Sequence, residues 1–195
     1  MIVKQVSFST KARQDLIDGI NTLADAVKST LGARGQTVLI ESENHTRGIT
    51  VTKDGVTVAK SINLMHPTQN LAVTMMKEAA ENTAVSAGDG TTTAIVITQA
   101  IVLEAQKRIK DHMNLTDIIR AIQASSKFVV KELVKVSKKV NGKRLLDVAS
   151  ISSNNDVFIG KIIADAYNAV GDTGVVTVEN ASGTETYSEI IQGMK

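Results

Sequence analysis

The sequence predicts a mainly α, multihelical domain with small β-hairpins, followed by a small α/β segment. Three observations lead there. Apolar residues recur at helical spacing through most of the first 137 positions. Aromatic residues make up only 3% of the chain and Trp is absent, so a core must be built from Ala, Val, Ile, Leu and Met, which suits close helix packing. Near residue 138 the pattern changes, and β-branched runs bounded by glycine appear.

Taken in order, Val3, Val6 and Phe8 form a β-prone opening that predicts an edge strand. Ser9-Thr10 supplies N-cap chemistry for a helix carrying Leu16, Ile17, Ile20, Leu23, Ala24, Val27 and Leu31 on one face. Gly32-Ala33-Arg34-Gly35 stops that helix. Thr37 to Glu41 reads as a short strand, followed by a polar loop around Asn44, His45 and Arg47. Ile49–Val51 and Val56–Val58 flank Asp54-Gly55, the pattern of a hairpin turn. Pro67, the only proline, precedes a long helix over about Thr68 to Ala87, with Leu71, Met75, Ala79, Asn82 and Val85 on its inner side. Gly88-Asp89-Gly90 ends it, and Thr91 opens another running to about Lys110. Asn114 or Thr116 caps the next, with Ile118, Ile119, Ile122, Phe128, Val129 and Leu133 inward. The pattern breaks around Asn141-Gly142, and Asn154-Asn155-Asp156 starts a helix to about Val170. Gly174–Glu179 and Tyr187–Ile191 read as two strands around a Ser-Gly turn.

Bulk composition narrows the function classes. A hydrophobic content of 43% with 22% charged residues is ordinary for a globular protein. The net charge of +2 is nearly balanced and the charges are mixed, so no polyanion-binding stripe is present and nucleic acid is not an expected partner. Five Phe and Tyr residues also offer few stacking platforms for single strands. The absence of cysteine excludes disulfides and thiolate metal sites, and His45, His66 and His112 match no metal-ligand spacing. No apolar run approaches the roughly 20 residues of a membrane span. Met1 to Gln5 has no signal-peptide or transit character, so the expectation is a cytoplasmic protein with no membrane partner.

The sharpest local feature is Gly88-Asp89-Gly90-Thr91-Thr92-Thr93. A helix N-terminus offers free N–H groups and about half a positive charge, which suit phosphate. Threonine hydroxyls add donors, and glycines let the backbone approach a ligand. Asp89 repels phosphate, so its presence makes sense where Mg²⁺ lies between them. The alternative is a capped interhelical turn, with Asp89 or Thr91 as N-cap. The P-loop pattern is absent. Thr52-Lys53-Asp54-Gly55 is by itself a turn; beside a phosphate site, Asp54 could orient water and Lys53 offset charge. Thr30-Leu31-Gly32 is by itself helix-ending punctuation whose backbone could border a nucleotide.

In this order the three features resemble the group I (GroEL-type) chaperonins. Thr30 to Gly35 is similar to the family's first nucleotide loop, Ile49 to Val56 to the stem-loop leading into the catalytic turn, and Ala87 to Ala94 to the phosphate loop. Ile151 to Asp156 and Gly171 to Glu179 resemble its intermediate domain. The resemblance implies an equatorial ATP-binding domain over 1–137, the ascending part of the intermediate domain over 138–193, and the start of an apical domain at 194–195. It further implies ATP and Mg²⁺ as cofactors. Asp89 would hold the metal, and Gly88, Gly90, Thr91, Thr92 and Thr93 the phosphates. Thr30, Leu31 and Gly32 would line the nucleotide, and Asp54 would assist hydrolysis with Lys53 beside it. The first strand and the stem-loop from Thr37 to Val51 would pair between subunits of a homo-oligomeric ring.

Two departures from the family pattern stand out: Ala33-Arg34 where Pro-Lys is usual, and Ser137-Lys138 where a hinge proline is usual. Losing a loop proline costs about 0.4–1 kcal/mol through the unfolded chain but removes no donor. In the family the chain continues into an apical domain that binds unfolded clients and co-chaperonin, then returns to complete the equatorial domain. The expectation is therefore a fragment of an ATP-dependent chaperonin subunit that assists protein folding. The alternatives are a truncated chaperonin-like nucleotide-binding or ring-interaction protein, and an unrelated helical domain with a structural Gly-Asp-Gly turn.

Overall fold

Leu23, Ala24 and Val27, one helical turn of the most regular apolar run in the sequence, are completely buried in the computed structural model. The structure describes residues 6–32, 34–41, 48–110, 112–171, 173–191 and 193. It is mainly helical, as the composition predicts, and divides into two compact units, Met1–Met113 and Asn114–Lys195. That geometric division falls ahead of the fifth helix, whereas the change of sequence pattern near residue 138 falls behind it. Val3, Ala33, Asn44, His45 and Arg47 lie outside the described residues.

The first unit is built on three long helices: α1 (Ser9–Lys28), α3 (Pro67–Ala87) and α4 (Thr91–Arg108). A short helix α2 (Gly55–Ser61) and an antiparallel pair, β1 (Val38–Glu41) and β2 (Ile49–Thr52), complete it. The pair runs in the register Val38 to Thr52 through Glu41 to Ile49. Its period of two shows in the packing: Val38 and Ile40 lie against the core, while Leu39, Ile49 and Val51 face outward.

The core gathers Leu23, Ala24 and Val27 of α1, Val58 and Ala59 of α2, Val73, Met76 and Ala80 of α3, and Ile95 of α4. It contains no aromatic ring, and small residues let the helices approach closely. At Gly19 a Cβ would stand 2.9 Å from the Gln69 carbonyl carbon and 3.0 Å from its Cα, so α1 rests directly on the α3 backbone. Each fully buried Leu, Ile or Val contributes about 1.5–3 kcal/mol. A polar tie crosses the same helices: buried Gln99 of α4 donates to Asn21 Oδ1 (2.7 Å) and to Asp25 Oδ1 (3.3 Å), both on α1.

Several expectations are corrected. Val6 and Phe8 form no strand, and α1 begins at Ser9 with Phe8 at the cap position and no side-chain cap bond. Asp54-Gly55 is not a hairpin turn. Asp54 caps α2, so Val56 to Val58 are helical, and burial of Val58 and Ala59 overrides their β-like alternation. On α3 the inward row is Ala72, Val73, Met76 and Ala80, one position on from the expected row. Leu71 (57%), Met75 (63%) and Val85 (89%) are exposed instead, because close helix contact selects the alanine-bearing face.

The second unit contains α5 (Leu115–Val136), α6 (Lys143–Ser152) and α7 (Val157–Val170). Of the two candidate caps, Asn114 is the one that caps α5, through Thr116 N (3.0 Å). Yet α5 buries none of its residues, and Ile119, Phe128, Val129 and Leu133 are exposed rather than inward. Helix α6, unforeseen from the pattern, packs on α7 where a Cβ at Gly160 would stand 2.6 Å from Ser150 Cα. Asp156 caps α7 through Ile159 N (3.0 Å), preceded by left-handed Asn154 and Asn155 (φ 57° and 64°), which asparagine tolerates. The tail after residue 173 forms no strand among the described residues. Its Val175, Val178, Ile190 and Ile191 border an open groove of about 640 Å³ along α7. A β-prone run becomes a strand only where a partner edge supplies its hydrogen bonds.

Candidate nucleotide site

The interhelical turn at Gly88-Asp89-Gly90 follows from two left-handed glycines. Gly88 (φ 75°) closes α3 through its N–H to Ala84 O (2.9 Å), and Gly90 (φ 89°) stands at the cap position of α4. A Cβ at Gly88 would meet nothing within 4 Å, and at Gly90 only Thr83 Cγ2 at 3.9 Å. Backbone conformation rather than crowding therefore requires glycine at both, and the turn's outer surface is open.

Neither Asp89 nor Thr91 caps α4 through its side chain among the described residues. Asp89 Oδ1 accepts from Gly90 N (2.6 Å) and reaches no amide of α4. The helix has no side-chain cap, so its first amides have no side-chain partner among the described residues. The three hydroxyl-bearing residues occupy different settings: Thr91 is buried, Thr92 half-buried and Thr93 exposed.

The structure brings two of the three sequence features into contact and sets the helix that leads to the third against them. Gly55, the buried first residue of α2, lies where an added Cβ would be 3.3 Å from both Thr92 Cβ and Val27 Cγ1. The start of α2, the start of α4 and the last turn of α1 thus meet at one point. Thr30 is anchored to that turn, its hydroxyl donating to Val27 O (2.8 Å) and its amide to the same oxygen (3.1 Å). The loop beyond it folds back through Gln36 N to Ser29 O (2.7 Å) and Gly35 N to Gly32 O (2.9 Å). A Cβ at Gly35 would stand 2.8 Å from the Thr30 carbonyl carbon, so only glycine fits there. Gly32 (φ 74°) faces open space and Leu31 is partly exposed.

Asp54 is the most engaged carboxylate of the group. Oδ2 accepts from Thr57 N (2.9 Å) and Thr57 Oγ1 (2.6 Å), and Oδ1 accepts from Val56 N (3.2 Å). Partial burial opposes its charge most strongly. The Thr57 hydroxyl, the Thr57 and Val56 amides and the Lys60 charge together outweigh that, holding the carboxyl below its ordinary 3.8. Asp54 is therefore an anion at neutral pH. Lys53 is exposed and makes no ion pair among the described residues. Thr57 escaped the sequence reading, although a hydroxyl three residues after an N-cap aspartate was a readable signal.

No cluster of three or more His, Cys, Asp or Glu side chains able to hold a metal occurs among the described residues. Magnesium needs none: it commonly takes one or two protein carboxylates together with substrate phosphates and water. Exposed Asp89, on an open turn beside uncapped amides, fits that mode.

The TCP-1/cpn60 chaperonin family model matches residues 23–195, a stretch that includes every candidate site residue. The chain belongs to the TCP-1/cpn60 chaperonin family. Among solved structures it is similar to the chaperonin gp146 from the bacteriophage EL 2 (Pseudomonas aeruginosa), crystallised in the presence of ATP-BeFx. In one crystal form the TM-score is 0.70 at 30% identity, over 82% of this chain and 28% of that one. In a second form the values are 0.69 and 31%, over 83% and 28%. A group III chaperonin in the open state matches with a TM-score of 0.67 at 25% identity, over 83% of this chain and 32% of that one. The chain thus spans about a third or less of the chaperonins it matches. No helix among the described residues is long and apolar enough to cross a membrane.

Proposed function

We propose that this chain is the nucleotide-binding part of a group I chaperonin subunit, which binds and hydrolyses ATP to drive protein folding in a homo-oligomeric ring. The observation that carries the reading is the meeting of Gly55, Thr92 and Val27, which brings the starts of α2 and α4 and the last turn of α1 together beside an uncapped helix N-terminus. Uncapped amides and the hydroxyls of Thr92 and Thr93 form a phosphate cradle, with Thr91 buried as its root. Gly88 and Gly90 let phosphate approach the backbone, and Thr30, Leu31 and Gly32 border the nucleotide.

Asp89 is the residue that would hold Mg²⁺, which when bound would neutralise phosphate charge. Asp54 assists hydrolysis as an anion that accepts a hydrogen bond from water and orients it. Lys53 adds positive charge next to it. The group I assignment rests on the residue patterns at Thr30–Gly35, Ile49–Val56 and Ala87–Ala94. On this reading 1–137 is equatorial, 138–193 is ascending intermediate domain, and 194–195 begins the apical domain. Clients and a co-chaperonin would bind that apical domain, and the working compartment would be the cytoplasm.

The test is Asp54→Ala in the full-length, assembled protein. Turnover should fall by about a hundredfold or more, while the Kd for ATP stays within a few-fold of wild type. Equal loss of binding and turnover would mean that Asp54 is only structural.

A further inference from the structure

We propose that Thr57 is a positioning residue for ATP hydrolysis: it clamps Oδ2 of Asp54 so that Oδ1 is the oxygen offered to the attacking water. The inference rests on the hydrolytic reading of Asp54 given above. A carboxylate has about four lone-pair sites, two on each oxygen. On Oδ2 both are taken by one residue, through Thr57 N at 2.9 Å and Thr57 Oγ1 at 2.6 Å. On Oδ1 only one is taken, by Val56 N at 3.2 Å. Among the described residues the carboxylate is therefore asymmetric, with a single free site, and Asp54 is exposed so that water can reach it.

Two features make the clamp more than a helix cap. A cap needs one oxygen on the N2 or N3 amide, which Val56 N and Thr57 N already provide. The hydroxyl bond is additional and is the shortest of the three, and it reinforces on Oδ2 the orientation that the two amides set about the Cβ–Cγ bond. The base of the arrangement is also held. Thr52 Oγ1 accepts from Asp54 N (2.9 Å) on one side, and Gly55 is seated against Thr92 of the phosphate loop on the other. Thr57 thus sets the angle of the carboxylate on a frame tied to the cradle.

The experiment compares Thr57→Val, Thr57→Ala, Thr57→Ser and Asp54→Ala in the full-length, assembled protein. It follows kcat and KM for ATP, and titrates the Asp54 carboxyl by carbon NMR. Thr57→Val and Thr57→Ala should lower kcat by about tenfold or more with KM within twofold, since a hydrogen bond to a charged group is lost. Both should move the Asp54 titration midpoint upward. Thr57→Ser, which keeps the hydroxyl, should restore both values. The Ala variant serves if Val at this helix position fails to fold. Impaired turnover in Asp54→Ala with normal turnover in Thr57→Val and Thr57→Ala would overturn this proposal alone. So would a KM that rises in step with the loss of kcat. Normal turnover in Asp54→Ala would overturn the hydrolytic reading itself and this proposal with it.

Discussion

Replacing Gly55 by alanine tests the junction on which the site depends. Helix propensity alone favours the change by at most about 1 kcal/mol. The structure opposes that gain. The new methyl would overlap Thr92 Oγ1 and lie 3.3 Å from Thr92 Cβ and Val27 Cγ1. Thr92 can rotate its hydroxyl away, but its Cβ moves only with α4, and Val27 is a fully buried core residue of α1. Overpacking of this kind costs about 1–3 kcal/mol, which offsets or exceeds the propensity gain, so no net stabilisation is expected. Urea unfolding of Gly55→Ala, Thr92→Ala and the double variant reads this directly. Thr92→Ala removes the overlapping oxygen, so the pair should couple by about 0.5–3 kcal/mol, with Gly55→Ala costing less in that background. Should Gly55→Ala be more stable than wild type, or the coupling vanish, α2 does not rest on α4 and the account of the site fails.

Gly19→Ala should reverse the propensity expectation. Its methyl meets the Gln69 backbone rather than a side chain, so a loss of about 2 kcal/mol is expected in the urea midpoint, and a gain would refute the α1–α3 contact. Asp54→Ala should cost about 0.5–2 kcal/mol at pH 7 through loss of the α2 cap. Because the folded pKa of Asp54 is lowered, its charge stabilises the fold fully above the ordinary 3.8. That contribution disappears as pH falls through the lower folded value. The stability gap between wild type and Asp54→Ala should therefore narrow in acid, and a gap that widens would contradict the assigned direction.

Long periodic runs and punctuation were legible: α1, α3 and α4, Pro67 in the first turn of α3, the glycine turn at 88–90, and the caps at Asn114 and Asp156. These are local signals, set by side chains a few residues apart. What escaped depends on partners distant in sequence. Leu71 and Met75 looked like the inner row of α3, but Gly19 and the small residues Ala72 and Ala80 decide which face comes close. Val56 and Val58 alternate like a strand, yet Asp54 captures two amides and makes them helical. The face of α5 was readable as amphipathic, but periodicity does not say what covers it, and within its unit nothing buries it. Likewise Val175 to Val178 has strand propensity without a partner edge. Within the candidate site, residue identities and their order along the chain were readable. Their meeting at Gly55, the uncapped start of α4 and the Thr57 clamp were not, because each is a contact and not a pattern.

The claim that Gly88 to Thr93 cradles a magnesium nucleotide is met most directly by melting wild type and Asp89→Ala with ATP, in Mg²⁺ and in EDTA. A ligand at a hundred times its Kd stabilises the folded state by about 2.7 kcal/mol, which is readily seen as a rise in Tm. Wild type should melt higher with ATP and Mg²⁺ than with ATP in EDTA, and Asp89→Ala should lose that magnesium-dependent increment. If ATP with Mg²⁺ leaves wild type and Asp89→Ala equally unmoved, the turn is structural punctuation and the phosphate-site assignment is wrong.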